Sequence, residues 1–357
     1  MTLPNTRPPH PADPLAALCA AAFRDPFLRQ PALAALRAHD ARTGGGYTPT
    51  LRAFLDHQGA ASPAAEALGV HVNTLRYRLG RIIERSGVDL HDADERLVCA
   101  LELATWPAAP LRAAPAPRGP EATPLAVVAL RPLADDSAAA ADLLRVVTAS
   151  RAFGSAAWCH GEPRRVYATA PLGRADLDAV EHTVRSVAAE AERAIGAPVV
   201  AGIGPVVDGR AHAEASRRHA DAVVRVLLGR GGNRVARLDD VRAQVVLGVV
   251  ATAAAGRPFP DGGATARLAA HDRAHGTAYV GTLRTYLDAF GDVTRAARAA
   301  YVHARTLRYR LARIEAIAGL SLDAPADRLA AHLTLRLRDL RAHVTGDVAK
   351  ESRMARV

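Results

Sequence analysis

The chain has 357 residues, enough for two or three domains that each bury a core of their own. Its formal net charge of +10 and its pI near 10.3 favour a polyanionic partner, and nearly all of the positive charge is arginine. Three scattered cysteines, without CxxC or Cys/His spacing, argue against a disulfide framework or a zinc site and fit a reducing, cytoplasmic compartment. The longest apolar run, residues 245–255, is far shorter than the roughly 20 residues of a membrane helix, so no membrane partner is expected.

In chain order, residues 1–24 form an N-terminal segment in which residues 15–23 predict a first amphipathic helix. A helical unit follows over residues 25–104. Within it, residues 62–70 predict a short helix that Ser62 caps, with Pro63 in its first turn, and that ends at a turn formed by Gly69. The small side chains in this helix allow a second helix to cross it closely.

That second helix is predicted from residue 71 to about residue 85. Its apolar face has helical spacing and consists of Leu75, Leu79, Ile82 and Ile83. A helix, a glycine turn and a second helix with a polar start and basic residues are typical of a helix-turn-helix, whose second helix meets base edges while arginines reach phosphates. An ordinary amphipathic surface helix is the alternative interpretation. The predicted DNA-binding residues are Ser62, His71, Asn73, Thr74, Arg76, Tyr77, Arg78 and Arg81.

Residues 105–124 are rich in proline and alanine and predict a stiff, extended linker that reaches about 50 to 60 Å. Residues 125–240 then alternate between strand-like and helical patterns in the order βαββαβαβ, which predicts an α+β domain. The predicted elements are a strand at 125–130, a helix at 138–150, two short strands around a turn at 160–163, a helix at 174–195, a strand at 198–203, a helix at 209–228 and a strand at 235–238.

Residues 241–345 repeat the first helical unit at a constant offset of 232 residues and without gaps, and residues 346–357 form a tail. The densest match is TLRYRL at residues 74–79, which recurs at residues 306–311. Other repeated pairs are His39-Asp40 with His271-Asp272, Tyr47 with Tyr279, and Arg96-Leu97 with Arg328-Leu329. The predicted DNA-binding residues of this copy are His303, Arg305, Thr306, Arg308, Tyr309, Arg310 and Arg313.

The second copy departs from the first at three positions of its helix-turn-helix. Tyr301 replaces the turn glycine and Ala300 replaces a core leucine, which predicts a weaker unit with a remodelled turn, because glycine alone reaches a left-handed conformation without strain. Arg305 replaces the asparagine and predicts an added guanine or phosphate contact.

Residues 70–82 read VHVNTLRYRLGRI, which resembles the V-H-x-N-T-L-R-Y-R-L-x-R-I signature of the C-terminal helix-turn-helix in PucR/CdaR-type regulators. The unit is also similar to the DNA-binding end of Fis-type proteins, in which the equivalents of His71, Val72, Thr74 and Arg76 lie at the DNA. Val72 is apolar and is not among the predicted contacts. These resemblances imply a double-stranded DNA partner.

Residues 200–204, VAGIG, and the Ala/Arg-rich helix after them resemble the GGDEF-like sensor domain of CdaR-type regulators, which implies a ferredoxin-like fold. Diguanylate cyclases hold metal and nucleotide with a Gly-Gly-acidic-acidic-Phe hairpin, whereas the corresponding residues here are His160-Gly161-Glu162-Pro163. The resemblance therefore implies a domain without cyclase activity. Gly202-Ile203-Gly204 is too short for a nucleotide-binding fingerprint, and a tight turn between strand and helix is the simpler interpretation.

Taken together, these patterns predict a multidomain protein in which two all-α helix-turn-helix units flank an α+β GGDEF-like domain. The expected function is sequence-specific transcription regulation, with a homodimer, an unidentified small-molecule effector and no cofactor. The alternatives are a nucleotide-binding or degenerate cyclase-type enzyme and a protein-interaction scaffold, although no catalytic residue or metal ligand stands out. The two copies are expected to act together on one inverted or direct repeat; the alternative is that the second copy serves dimerisation.

Overall fold

The computed structural model describes residues 14–105, 123–134, 137–154, 157–172, 177–229 and 234–354, and the side chains of the last helix as far as residue 340. The chain divides into two compact units. One combines Met1–Leu111 with Val246–Val357, and the other is Arg112–Val245. Apart from its ends, the linker predicted over residues 105–124 lies outside the described residues, as does most of the predicted N-terminal segment. In the part of the chain described, no helix is both long and apolar enough to cross a bilayer.

The first helical region contains the expected N-terminal helix and the five helices of the first copy. Their bounds are α1 (Pro14–Phe23), α2 (Pro31–Thr43), α3 (Tyr47–Asp56), α4 (Ala61–Ala67), α5 (Val72–Ser86) and α6 (Ala93–Ala104). Ala64 and Ala65 are buried between α4 and α5, so small side chains allow the close crossing that was expected. Leu75, Leu79 and Ile82 are buried against them.

Two sequence expectations about this copy are wrong. The N-cap of α4 is Ala60, which offers no side-chain hydrogen bond, so Ser62 lies one residue inside the helix and does not cap it. Ile83 does not belong to the buried face, since 46% of it is exposed. Its position on the helix turns it away from the core that Leu79 and Ile82 enter.

The sheet unit has the elements β1 (Pro124–Pro132), α7 (Ser137–Ser150), β2 (Cys159–Glu162), β3 (Arg165–Pro171), α8 (Leu177–Ile195), β4 (Val199–Ile203), β5 (Val207–Asp208), α9 (Ala213–Gly229) and β6 (Val235–Arg237). The strand order is β2-β3-β1-β4-β6, with β5 paired to β1. All strand pairs are antiparallel except β4 with β6, so the sheet is mixed. The predicted order of strands and helices is therefore present, with a two-residue strand, β5, added to it.

The two faces of the sheet carry different helices. Alternate residues of β1, such as Val128 and Leu130, pack with α7 and α8 in one core. On the other face, a side chain at Gly202 or Gly204 would collide with the backbone of α9, so these two glycines allow the helix to lie directly on the sheet. The expected tight turn between strand and helix is not present, because Gly202 and Ile203 lie within β4 and β5 comes before α9; the glycines instead serve close packing between strand and helix.

The turn predicted at residues 160–163 lies further along the chain. His160, Gly161 and Glu162 belong to β2, and the hairpin turns at Pro163 and Arg164. The register explains the shift, because Glu162 pairs with Arg165 and leaves two residues for the turn.

The last part of the chain contains α10 (Arg242–Ala253), α11 (Ala264–His275), α12 (Tyr279–Asp288), α13 (Val293–Ala299), α14 (Ala304–Ala318) and α15 (Pro325–Met354). From α12 to α14, both ends of each helix lie 232 residues after those of α3 to α5, and α15 begins 232 residues after α6. The tail predicted to start at residue 346 is instead helical as far as Met354. It belongs to α15, which is longer than its counterpart α6.

The aspartate of the repeated His-Asp pair caps a helix in both copies. The Asp40 carboxylate accepts hydrogen bonds from the backbone amides of Tyr47 and Thr48, at 2.9 and 2.7 Å, and thereby caps α3 from the preceding helix. Asp272 caps α12 in the same way, through Tyr279 and Val280 at 2.8 and 2.9 Å. Although burial alone would raise the pKa of Asp272, hydrogen bonds from the Thr277 hydroxyl and these amides hold it below its ordinary value.

The two copies contact each other through equivalent positions. Phe54 packs edge to face on Phe290, with ring centroids 5.8 Å apart. At the positions 232 residues away, the hydroxyl of Tyr286 donates to Oε1 of Gln58 at 3.3 Å. Each contact is therefore made twice, once between two residues and once between their counterparts in the opposite copies.

Two buried arginines make the central reciprocal contact. Arg96 donates to the carbonyl of Asp288, the last residue of α12, at 2.7 Å, and Arg328 donates to the carbonyl of Asp56, the last residue of α3. Each guanidinium also donates within its own copy, Arg96 to Leu90 at 2.8 Å and Arg328 to Leu322 at 2.5 Å. Burial lowers the pKa of both arginines. The negative ends of α3 and α12 stabilise the two positively charged guanidinium groups.

We expect Arg96→Ala and Arg328→Ala each to lower the free energy of unfolding by about 2 to 3 kcal/mol, because a charged donor to a buried carbonyl is lost. Denaturant unfolding followed by far-UV circular dichroism measures this effect. Arg42→Ala, which removes an exposed arginine of α2, is the control and should stay within about 0.5 kcal/mol of the wild type. Equal effects of all three substitutions would show that the buried arginines do not hold the copies together.

Candidate nucleic-acid interface

The second helix of each helix-turn-helix begins with a histidine cap. His71 and His303 precede α5 and α14 in extended conformations, and Nδ1 of each ring accepts a hydrogen bond of 3.2 Å from the amide two residues later. A neutral imidazole that accepts at Nδ1 carries its proton on Nε2. Both rings are exposed, so each has an Nε2 donor for an acceptor from outside the protein.

The first two turns of α5 and α14 present matching exposed side chains. Asn73, Thr74, Arg76 and Tyr77 are exposed around the buried Leu75, and their counterparts surround the buried Leu307 in the same pattern. Tyr77 is 67% exposed and Tyr309 is 65% exposed. Large aromatic side chains exposed at equivalent places indicate a contact surface more strongly than scattered ones do. The predicted residues brought together here in the second copy are His303, Arg305, Thr306, Arg308 and Tyr309.

The remaining predicted arginines lie further along the helices. Arg78 and Arg310 are half-buried, and the guanidinium of Arg78 lies against the backbone of Gly46 at the start of α3. Arg81 forms an ion pair with Glu84 at 2.6 Å, and this carboxylate raises its pKa. Arg313 is exposed, and the residue equivalent to Glu84 is Ala316, so the second copy lacks this neutralising carboxylate.

The turn of the second copy is not remodelled, contrary to expectation. Tyr301 has φ of 53°, close to the 63° of Gly69. The same backbone hydrogen bonds follow, with Val70 donating to Ala65 and Val302 donating to Ala297 at 3.0 Å each. The Tyr301 side chain is 96% exposed, so it meets no core residue that would prevent this conformation.

Two repeated arrangements thus contain a short helix, a left-handed turn, a histidine cap and an exposed polar face. The family model described as the PucR C-terminal helix-turn-helix domain matches residues 47–105 and matches again at residues 279–337. Both helical units are PucR-type helix-turn-helix domains. The matches begin at Tyr47 and Tyr279, the first residues of α3 and α12. They include residues 70–82 and the equivalent residues of the second copy, so the resemblance expected from residues 70–82 is confirmed and applies to both copies.

Curated proteins that are similar to this chain share short segments with it. An uncharacterized protein in the pkwA 5′ region of Thermomonospora curvata is 41% identical over 58 residues, which are 16% of this chain and 32% of that protein. The proline-responsive transcriptional activator PutR of Bacillus subtilis (strain 168) is 38% identical over 71 residues, which are 20% of this chain and 17% of PutR. The chain therefore spans less than a third of the length of each relative. Among solved structures, a regulator of polyketide synthase expression from Bifidobacterium adolescentis is 18% identical, with a TM-score of 0.27, over 62% of this chain and 86% of that one.

The second PucR-type domain contains basic residues that the sequence interpretation did not single out. Arg295 and Arg298 are exposed on α13, where the first copy has Pro63 and Glu66. Asp292 caps α13 by accepting from the amides of Thr294 and Arg295, whereas the equivalent Ala60 cannot cap α4. A comparison of charges between the copies, position by position, reveals this difference, which a search for identities misses. The second domain thus has the more basic surface of the two, and its geometry matches that of the first.

Within the described residues, no group of three or more histidine, cysteine, aspartate or glutamate side chains is arranged to hold a metal ion. Among the described residues no disulfide links the three cysteines, and Cys19 and Cys99 are buried.

We expect Tyr301→Gly to raise the free energy of unfolding by up to about 1 kcal/mol, because relief of the left-handed strain exceeds the flexibility that glycine adds to the unfolded chain. Thermal or denaturant unfolding measures the change. Tyr301→Ala keeps the backbone strain and removes the exposed side chain, so it should leave stability within about 0.5 kcal/mol of the wild type. If alanine stabilises as much as glycine, the effect comes from the side chain, and the strain argument is wrong.

Proposed function

We propose that this protein is a sequence-specific, DNA-binding transcription regulator in which both PucR-type domains bind operator half-sites. The observation that carries the proposal is the matching set of exposed histidine, threonine, arginine and tyrosine side chains at the start of α5 and α14. The similarity to PutR, described as a transcriptional activator, and the net charge of +10 support it.

The geometry supports a division of roles within each domain. Arg76 and Arg308 are exposed in the second turn of their helices and suit bidentate contacts to guanine. His71 and His303 suit phosphate, because the cap leaves the Nε2 donor outward. The remaining proposed phosphate contacts come from basic residues further along α5 and α14: Arg78, Arg81, Arg310 and Arg313.

Replacing Arg76 with alanine is expected to weaken operator binding by about 1 to 3 kcal/mol and to relax specificity at one base pair, since a bidentate base contact is lost. Fluorescence anisotropy with an operator selected from random DNA by the wild type, and with single-base variants of it, measures both effects. Arg225→Ala is the control, because it removes the same charge from an exposed position on α9 of the sheet unit. A folded Arg76→Ala protein with unchanged affinity and specificity would remove Arg76 from the interface.

For the whole protein, salt dependence separates DNA binding from a scaffold that binds proteins alone. A regulator that neutralises phosphates releases counterions, so its affinity for DNA falls steeply as salt rises. Failure to bind any genomic DNA sequence at low salt would contradict the proposed function.

For the sheet unit, we propose a GGDEF-like, ferredoxin-like domain over residues 125–240 that serves sensing or dimerisation and has no cyclase activity. The order β1-α7-β2-β3-α8-β4 supports the resemblance. Glu162, the carboxylate of the hairpin, forms an ion pair with Arg217 of α9 at 3.1 Å and is thereby engaged within the protein. A cytoplasmic homodimer that responds to a small molecule is the corresponding proposal for the assembled regulator.

Incubation of the full chain with GTP and Mg²⁺ is expected to yield no cyclic dinucleotide, because the hairpin lacks the glycine pair and the acidic pair that cyclases use. Chromatography of the nucleotides with mass detection provides the measurement. The control is Glu162→Ala, which removes the hairpin carboxylate. Product that forms with the wild type and disappears with this variant would establish cyclase activity and refute the proposal.

A further inference from the structure

The contacts between the two PucR-type domains have the pattern of a two-fold symmetric dimer. In such an interface, residue i of one subunit meets residue j of the other, and residue j of the first meets residue i of the second. Arg96 meets Asp288 while Arg328 meets Asp56, and these positions are related by the repeat offset. Phe54 with Phe290 and Tyr286 with Gln58 form a second reciprocal set. A head-to-tail arrangement would instead pair different surfaces of the two copies.

This symmetry extends to the DNA-binding helices. α5 and α14 have equivalent bounds, equivalent caps and equivalent exposure within domains that the interface relates by an approximate two-fold axis. The residues that form the reciprocal contacts lie in or next to α3, α6, α12 and α15, so the start of each DNA-binding helix is left exposed. Two-fold related helix-turn-helix units bind palindromic half-sites.

The two domains differ, however, at one exposed polar position in the first two turns of these helices. Asn73 of α5 is replaced by Arg305 of α14, whereas the histidine, threonine, arginine and tyrosine positions are identical. In both residues the backbone amide donates to the capping histidine, so the two side chains start from equivalent positions. Asparagine suits the N6 and N7 edge of adenine, and arginine suits the O6 and N7 edge of guanine.

On the basis of the proposed function, we infer that one chain binds an inverted repeat whose two halves differ at one base pair, with adenine at Asn73 and guanine at Arg305. The chain contains both half-site readers, so each inverted repeat takes one chain. The operator is an imperfect palindrome because the duplicated domain has diverged at a base-contacting position while its interface has stayed reciprocal.

The test begins with selection of bound sequences from a random DNA library by the full-length wild type, Asn73→Arg and Arg305→Asn proteins. The wild type is expected to select an inverted repeat with one asymmetric position. Asn73→Arg is expected to select guanine in both halves, and Arg305→Asn adenine in both. The double substitution restores an asymmetric site and is the matched control, because it keeps the composition and exchanges the two readers.

Affinity and stoichiometry complete the test. On the wild-type operator, Asn73→Arg should bind roughly 5- to 150-fold more weakly, the range that one bidentate base contact is worth, and should recover on the symmetric guanine operator. Titration should saturate at one chain per inverted repeat, so that the proposed homodimer takes up two repeats. Selection of a direct repeat or a single half-site, two chains per repeat, or unchanged preferences in the exchanged variants would each overturn the inference and leave the proposed function standing. Absence of salt-dependent binding to any DNA by the wild type would refute the proposed function itself.

Discussion

The helical unit depends on two buried guanidinium groups, each held at the carboxyl end of a helix from the other copy. A buried charge is costly unless hydrogen bonds satisfy it, and Arg96 and Arg328 obtain these from backbone carbonyls on both sides of the interface. The last carbonyls of α3 and α12 lack partners within their own helices and carry the negative end of the helix dipole. Arg328 therefore donates to the carboxyl end of α3, Arg96 shares the Asp288 carbonyl at the end of α12 with Arg295, and the two copies are held in a reciprocal arrangement.

The interface also shows how far the two copies have diverged. Phe290 occupies the position of Gln58, so an aromatic contact on one side of the pseudo-symmetry axis is a hydrogen bond on the other. Arg96 lies over the Phe290 ring at 4.7 Å, which adds a cation–π contact to one side. The same side has an ion pair between Arg336 and Asp94 at 2.9 Å, whereas the equivalent positions on the other side are Ala104 and Ala326. Different chemistry at equivalent positions thus preserves one geometry.

A duplication within one chain also frees each domain to change independently. In a homodimer, a substitution in the DNA-binding helix appears in both halves at once. Here Arg305 and Arg298 add charge to one side alone, and Glu84 neutralises an arginine on the other side alone. Under the proposed function, linkage keeps the second domain at a high local concentration once the first has bound DNA, so the two need not have equal affinity.

The repeat, the two helices of each helix-turn-helix and the exposed residues of α5 and α14 follow from the sequence itself, whereas the start of α4 and the end of α15 do not. The former features depend on hydrophobic periodicity and on turn residues within a few positions, and the offset of 232 residues transfers each assignment from one copy to the other. The alternation in residues 125–240 likewise determined the order of strands and helices, although not the two residues at which the hairpin turns.

The tertiary structure alone decided how the copies pair, because the defining hydrogen bonds join residues 192 and 272 positions apart. Arg96 and Arg328 are visible in the sequence as a repeated pair, but no local pattern shows that they are buried or what they contact. The tertiary structure also decided the left-handed conformation of the turn at Tyr301. Its strain is local, whereas the core that α13 and α14 form with Leu268, Leu283 and Leu335 joins distant parts of the chain.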